Sequence, residues 1–187
     1  MNAETREPTS SFWGFFGRVV VAQLVTYFLM GVLSVGAGLH VYAYYGAHPD
    51  PLVTALQRPI DSALVMAGPL FQVLRAAIFA VALYPFRGVF LGRKQGVIYL
   101  WGLFLALAIF APAGEAPGSI EGVIYTNLPA LFHLIYLPEI ILQTLAFSWL
   151  LVTWEHNKGR KMLTIPLVIV FTLIVVAIVM GLVLPPA

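Results

Sequence analysis

Five long runs of apolar residues alternate along the chain with short segments that carry charges, prolines or glycines. A helix needs about 20 mostly apolar residues to cross the roughly 30 Å hydrocarbon layer of a bilayer. The pattern therefore predicts an all-α, polytopic integral membrane protein, a bundle of five transmembrane helices that forms one domain over residues 18–187. The predicted spans are about 18–45, 60–86, 95–112, 128–154 and 162–184.

Residues 1–17 precede the first run and have a different character. The first ten mix acidic, basic and polar residues, which predicts a disordered tail, whereas SFWGFFGR predicts a short amphipathic entry at the membrane surface. The apolar run that follows is about twice the 7–15 residues of a secretory signal core, so it predicts a retained signal-anchor.

Two connections between the runs carry signals for short helices. Asp50 followed by Pro51 is a favourable N-cap and first-turn pair, which predicts a short interfacial helix over the following residues. The segment SIEGVIYTNLP is apolar for a loop, and it predicts a second short helix that dips into the interface.

The basic residues indicate the orientation of the bundle. Eight fall on one side of the predicted topology, Arg58 on the other, and Arg75 within a span. Because lysines and arginines accumulate in cytoplasmic loops, the N-terminus is predicted inside and the C-terminus outside, in a bacterial or archaeal cytoplasmic membrane. The eight are Arg6, Arg18, Arg87, Arg93, Lys94, Lys158, Arg160 and Lys161.

Composition supports the membrane assignment and removes several classes of function. The chain is 60% apolar and 10% charged, with a mean hydropathy of +0.92, whereas soluble domains are roughly 45–50% apolar and about 25% charged. This excludes a soluble enzyme. The absence of cysteine excludes disulfides, thiolate metal sites and iron–sulfur clusters. The one-sided bases explain the pI near 9.0 through insertion and anionic lipid, so no nucleic-acid partner is expected.

Polar side chains inside the spans mark the helix faces that contact other helices. The second and fourth spans each carry a polar stripe at helical spacing, and the first span has a polar face as well. Spans one, two and four are therefore predicted to pack around a buried polar cluster, while spans three and five face lipid. The predicted cluster consists of Asp61, Gln72, Arg75, His133, Tyr136, Glu139 and Gln143.

Arg75 and Glu139 are the most informative members of this cluster. A charge near the bilayer centre costs roughly 2.5–3.5 kcal/mol and normally persists with a partner, so the two are predicted to pair. The pair has three interpretations: a salt bridge that sets helix register, a proton or ion relay that continues through His133 and Asp61, or a contact for an anionic lipid headgroup.

These interpretations lead to two main functional hypotheses. The first is a scaffold or accessory subunit that binds another membrane protein, a second copy of itself or a lipid, favoured by short loops and the lack of a soluble domain. The second is a small protein that translocates protons, ions or lipids through Arg75, Glu139 and His133. No nucleotide, hydrolase or metalloprotease motif occurs in the chain, which favours a protein that is not an enzyme.

A third hypothesis concerns a cofactor. His40 and His133 lie at similar predicted depths on the first and fourth spans, where two imidazoles could ligate a b-type haem. Apart from this haem, the sequence predicts no cofactor and no metal site.

Overall fold

The computed structural model describes residues 11–38, 40–59, 62–91, 93, 95–110, 114–157 and 159–183, and all secondary structure in these ranges is helical. Three helical stretches are long and apolar enough to cross a membrane, namely Phe12–Ala47, Ala130–His156 and Lys161–Val183. Two shorter apolar helices accompany them. In chain order the helices are α1 (Phe12–Gly36), α2 (Val41–Ala47), α3 (Pro51–Leu56), α4 (Ala63–Met66), α5 (Gly68–Leu83), α6 (Arg87–Leu91), α7 (Gly96–Ile109), α8 (Ile120–Tyr125), α9 (Ala130–His156) and α10 (Lys161–Val183).

Local signals in the sequence account for several helix boundaries. The Asp50 side chain accepts hydrogen bonds from the backbone N–H groups of Leu52, at 2.9 Å, and Val53, at 3.1 Å, and thereby caps α3. Ser119 caps α8 in the same way. Both predicted short helices are confirmed. The segment predicted as a surface entry is the first part of α1, which Ser11 caps and whose Phe15 is buried.

Helix α1 lies at the centre of the bundle and packs against α5, α9 and α10, while α7 packs against α9. Small residues allow α1 and α5 to approach closely, since Ala22, Ala76 and Ala80 are fully buried between them. Aromatic rings fill the space among α5, α7 and α9, where Phe104 contacts both Phe79 and Phe147. The lateral order of helices therefore places α1 between elements that are far apart in sequence.

The bundle has two distinct ends. One end contains the start of α1, the helix α6 and the close of α9, and we call it the Arg18 end. Arg18 donates a hydrogen bond there to the carboxylate of Glu155, and the His156 ring contacts the carbonyl of Leu91. The other end contains α2, α3, α8 and the start of α9, and we call it the α8 end.

Candidate functional site

The predicted ion pair between Arg75 and Glu139 is wrong. Glu139 Oε2 lies 3.6 Å from His40 Nε2 and accepts a hydrogen bond of 3.3 Å from Ser34 Oγ. Within the described ranges, no lysine or arginine nitrogen comes within 4 Å of this carboxylate, and Arg75 makes no ion pair.

The packing of α5 and α9 explains why the two charges do not meet. Both helices turn their polar stripes toward α1, but they contact it at different levels. Gln72 on α5 meets Gln23 of α1 through a buried hydrogen bond of 3.2 Å, whereas Glu139 on α9 meets Ser34. These two positions on α1 are separated by about 16 Å of helix rise. Arg75 and Glu139 therefore have different surroundings, which lie on opposite faces of α9.

Arg75 lines a groove of about 290 Å³ that opens among α5, α7 and α9, with Gln23 of α1 at its base. We call it the Arg75 groove. Its polar lining also includes Gln143 and Thr144; the threonine hydroxyl donates to the carbonyl of Ile140, whereas no described residue bonds to the Gln143 amide. The side chain of Arg75 is exposed. The residues that line the Arg75 groove are Gln23, Arg75, Phe79, Phe104, Leu107, Ala108, Ile140, Gln143, Thr144 and Phe147.

Glu139 lies in a second and larger hollow on the opposite face of α9. This Glu139 cleft has a volume of about 520 Å³ and lies between α1 and α9. Its walls are carbon apart from Ser34 and Glu139, and it runs along α9 to the exposed ring of Trp149. Its lining is Met30, Leu33, Ser34, Ala37, Pro138, Glu139, Leu142, Leu145, Ala146 and Trp149.

His133 lines neither hollow. It holds residues 114–129, which we call the α8 segment, against α9. Its Nδ1 accepts a hydrogen bond of 3.2 Å from the Gly118 N–H, and its Nε2 lies 3.4 Å from Thr126 Oγ1. The threonine hydroxyl donates in turn to the carbonyl of Gly122 at 2.6 Å. Since Nδ1 accepts, the neutral ring carries its proton on Nε2 and donates to Thr126. The three relay residues that the structure describes, Arg75, Glu139 and His133, therefore lie in separate places.

Two glycines allow the α8 segment to lie so close to α9. Gly118 has φ +80°, in the left-handed region that glycine adopts without strain. A Cβ at Gly122 would lie 2.3 Å from the carbonyl oxygen of Ala116 and 2.9 Å from Cε1 of His133. No larger residue fits at Gly122 without displacing the segment from the histidine.

The two predicted haem ligands do not fit a haem. Both ring nitrogens of His133 face hydrogen-bonding partners, and Nδ1 of His40 accepts the Tyr42 N–H at 3.1 Å to cap α2. The remaining nitrogen of His40 faces Glu139. An axial ligand must offer a free ring nitrogen to the iron, and His133 has none in this arrangement. Among the described ranges, no group of three potential metal-binding side chains occurs.

The other predicted cluster members are distributed along the bundle. Gln72 is buried between α5 and α1, and Gln143 faces the Arg75 groove. Tyr136 packs against Phe132 near the α8 end, with ring centroids 5.2 Å apart. Asp61 lies outside the described residues.

The sequence interpretation missed the Arg18–Glu155 pair, which joins α1 to α9 at the Arg18 end. The side chain of Glu155 is 2% exposed and that of Arg18 is 16% exposed. Arg18 Nη2 and Glu155 Oε2 are buried, and no described residue bonds to either atom. The available signal was Glu155 itself, a carboxylate among the basic residues that flank the predicted spans. The predicted fourth span ends at residue 154, so Glu155 fell just outside it, whereas α9 continues to His156 and buries the Glu155 side chain.

The chain matches no protein-family model, no curated protein and no solved structure.

Proposed function

We propose that this is a five-span membrane protein that binds an anionic lipid in the Arg75 groove. Three spanning helices are complemented by two shorter apolar elements. Helices α4 and α5 cover residues 63–83 with only Ala67 between them, and α7 supplies the remaining span. Arg87, Arg93, Arg160 and Lys161 adjoin the helix termini at the Arg18 end. We assign that end to the cytoplasmic side of a bacterial or archaeal membrane, since positive residues accumulate there.

The exposed guanidinium of Arg75, without a carboxylate partner in the described part of the chain, carries the functional proposal. Arg75 lies at the middle of α5, about two turns into an apolar helix. An arginine at such a depth costs roughly 2.5–3.5 kcal/mol on insertion scales and normally persists with a counter-charge. A phosphate on a lipid provides that charge and matches the planar donor fork of the guanidinium.

The rest of the groove suits the same ligand. Gln143 supplies an amide that can donate to a phosphate oxygen, and the aromatic rings of Phe79 and Phe104 provide an apolar wall for a lipid chain. A hydrophobic lining with few convergent polar groups is typical of small-molecule sites. The open groove favours lipid binding over the alternative of a sealed salt bridge with a purely structural role.

Lipid retention in native mass spectrometry tests this proposal. Purified protein in an uncharged detergent is titrated with phosphatidylglycerol and with phosphatidylcholine of the same chain length. Because hydrogen bonds to charged groups contribute about 1.5–3 kcal/mol, Arg75→Gln is expected to weaken phosphatidylglycerol binding by about tenfold or more. Arg58→Gln is the matched control, since Arg58 is also exposed but lies outside the groove.

Binding that is equal for the two lipids, or equal in the wild type and in Arg75→Gln, contradicts the proposal. Arg75→Lys separates charge from shape. It keeps the positive charge but loses the bidentate fork, and it is expected to restore binding only in part.

A scaffold or accessory role, with a membrane-protein partner or a second copy, is a second proposal that α8 favours. His133 holds one side of the α8 segment rigidly to α9, while Val123, Ile124 and Tyr125 are 55–65% exposed on the other. Exposed apolar side chains on a fixed support are typical of an interaction surface. Co-purification from native membranes tests this role. A stoichiometric partner that is lost in Ile124→Glu supports it, and a partner retained in that variant contradicts it.

A further inference from the structure

We propose that the Glu139 cleft is a second ligand site, which binds a single-chain amphiphile through a cationic headgroup at Glu139. This site is independent of the Arg75 groove, because no described residue lines both hollows. The cleft is an apolar channel that ends at a carboxylate, and these two features define the chemistry of the ligand.

The cleft has the length and lining that an alkyl chain requires. Glu139 and Trp149 are separated by ten positions on α9, or about 15 Å of helix rise. An extended chain advances about 1.2 Å per bond, so roughly a dozen carbons span this distance. Small side chains at Ala37 and Ala146 leave the volume between α1 and α9 unfilled. Because every wall residue between the two ends is apolar, the channel favours a hydrocarbon tail over a polar solute.

The charge at the α8 end of the cleft selects the headgroup. Glu139 Oε2 accepts from Ser34, and no described residue donates to Oε1. His40 is a poor counter-ion, since its Nδ1 is used to cap α2 and its Nε2 lies 3.6 Å away, beyond normal hydrogen-bonding distance. An ionised carboxylate in an apolar environment is stabilised by a full positive charge nearby. An ammonium headgroup supplies that charge and leaves the tail in the channel.

Tryptophan fluorescence gives a direct assay, because Trp149 lines the far end of the cleft. Protein in an uncharged maltoside detergent is titrated with bromine-tipped undecyltrimethylammonium or with bromine-tipped undecanoate. The bromine quenches a nearby indole, and subtraction of Trp149→Phe isolates the signal of the cleft. We expect saturable quenching, at about tenfold lower concentration for the cationic probe.

Three variants separate the possible outcomes. Glu139→Gln is expected to abolish the headgroup preference, and Ala146→Phe to abolish saturable quenching by filling the channel. Arg75→Gln is expected to change neither, so this experiment and the phosphatidylglycerol experiment can fail independently. Equal quenching by the two probes, non-saturable quenching as from annular lipid, or an unchanged preference in Glu139→Gln would overturn the proposal.

Discussion

The buried pair between Arg18 and Glu155 allows a quantitative test of how the bundle is held together. Glu155→Gln keeps the size of the side chain but leaves the Arg18 guanidinium without its counter-charge. Removal of one partner from a buried ion pair costs about 3–5 kcal/mol. Because Arg18 is 16% exposed and keeps some hydration, we expect the lower part of that range, about 3 kcal/mol.

The opposite result is expected when both charges are removed. Arg18 Nη2 and Glu155 Oε2 lack described partners, so the pair does not recover its full desolvation cost. Replacement of a buried pair by apolar residues of similar size is often neutral or stabilising. The free energy of unfolding of the double variant Arg18→Met/Glu155→Leu should therefore lie within about 1 kcal/mol of the wild-type value.

Reversible unfolding in mixed detergent–SDS micelles, followed by circular dichroism, measures these free energies. Arg160→Gln is the control, since Arg160 is exposed and makes no ion pair with a described residue. We expect its free energy of unfolding to change by less than about 0.5 kcal/mol. The reasoning is refuted if Glu155→Gln matches this control, or if the double variant is as unstable as the single one.

Three further predictions concern other contacts in the bundle. Gly122→Ala should destabilise the protein by about 1–3 kcal/mol, because its methyl group overlaps a carbonyl oxygen. It should also speed hydrogen exchange over residues 114–129. Gly114→Ala should do neither, since a Cβ at Gly114 meets no described atom within 4 Å. His133→Phe should speed the same exchange and cost about 1–3 kcal/mol, since it leaves the buried Gly118 N–H without an acceptor. Normal protection of these residues would contradict the assigned role of His133. Gln72→Leu should lower the free energy of unfolding by about 0.6 kcal/mol, which is the average for a hydrogen bond between membrane helices. The unpaired Gln23 amide should lower it further. An unchanged free energy of unfolding would show that this bond contributes little.

Helix type and several boundaries could be read from the sequence because they depend on neighbours along the chain. Apolar runs predicted helices of membrane-spanning length, of which three are confirmed. Asp50 and Pro51 fixed the start of α3 by a local hydrogen-bond pattern. The first predicted span is interrupted after Gly36, where Gly38 has φ +70°. The glycines there marked a place where the chain can turn, but nothing in the sequence required the turn.

The chain by itself determined which side chains share a helix face, because the angle between residues on one helix is fixed at about 100° per residue. It did not determine the lateral order of the helices or their relative height. Gln72 and Glu139 both face α1, as their polar stripes predicted, yet α1 meets them at different levels. Only tertiary packing decided that Arg75 lies in an open groove, that Glu139 adjoins His40, and that Arg18 and Glu155 form the buried pair. The physical reason is that an ion pair depends on a distance of a few ångströms between helices, which the periodicity of a single helix cannot specify.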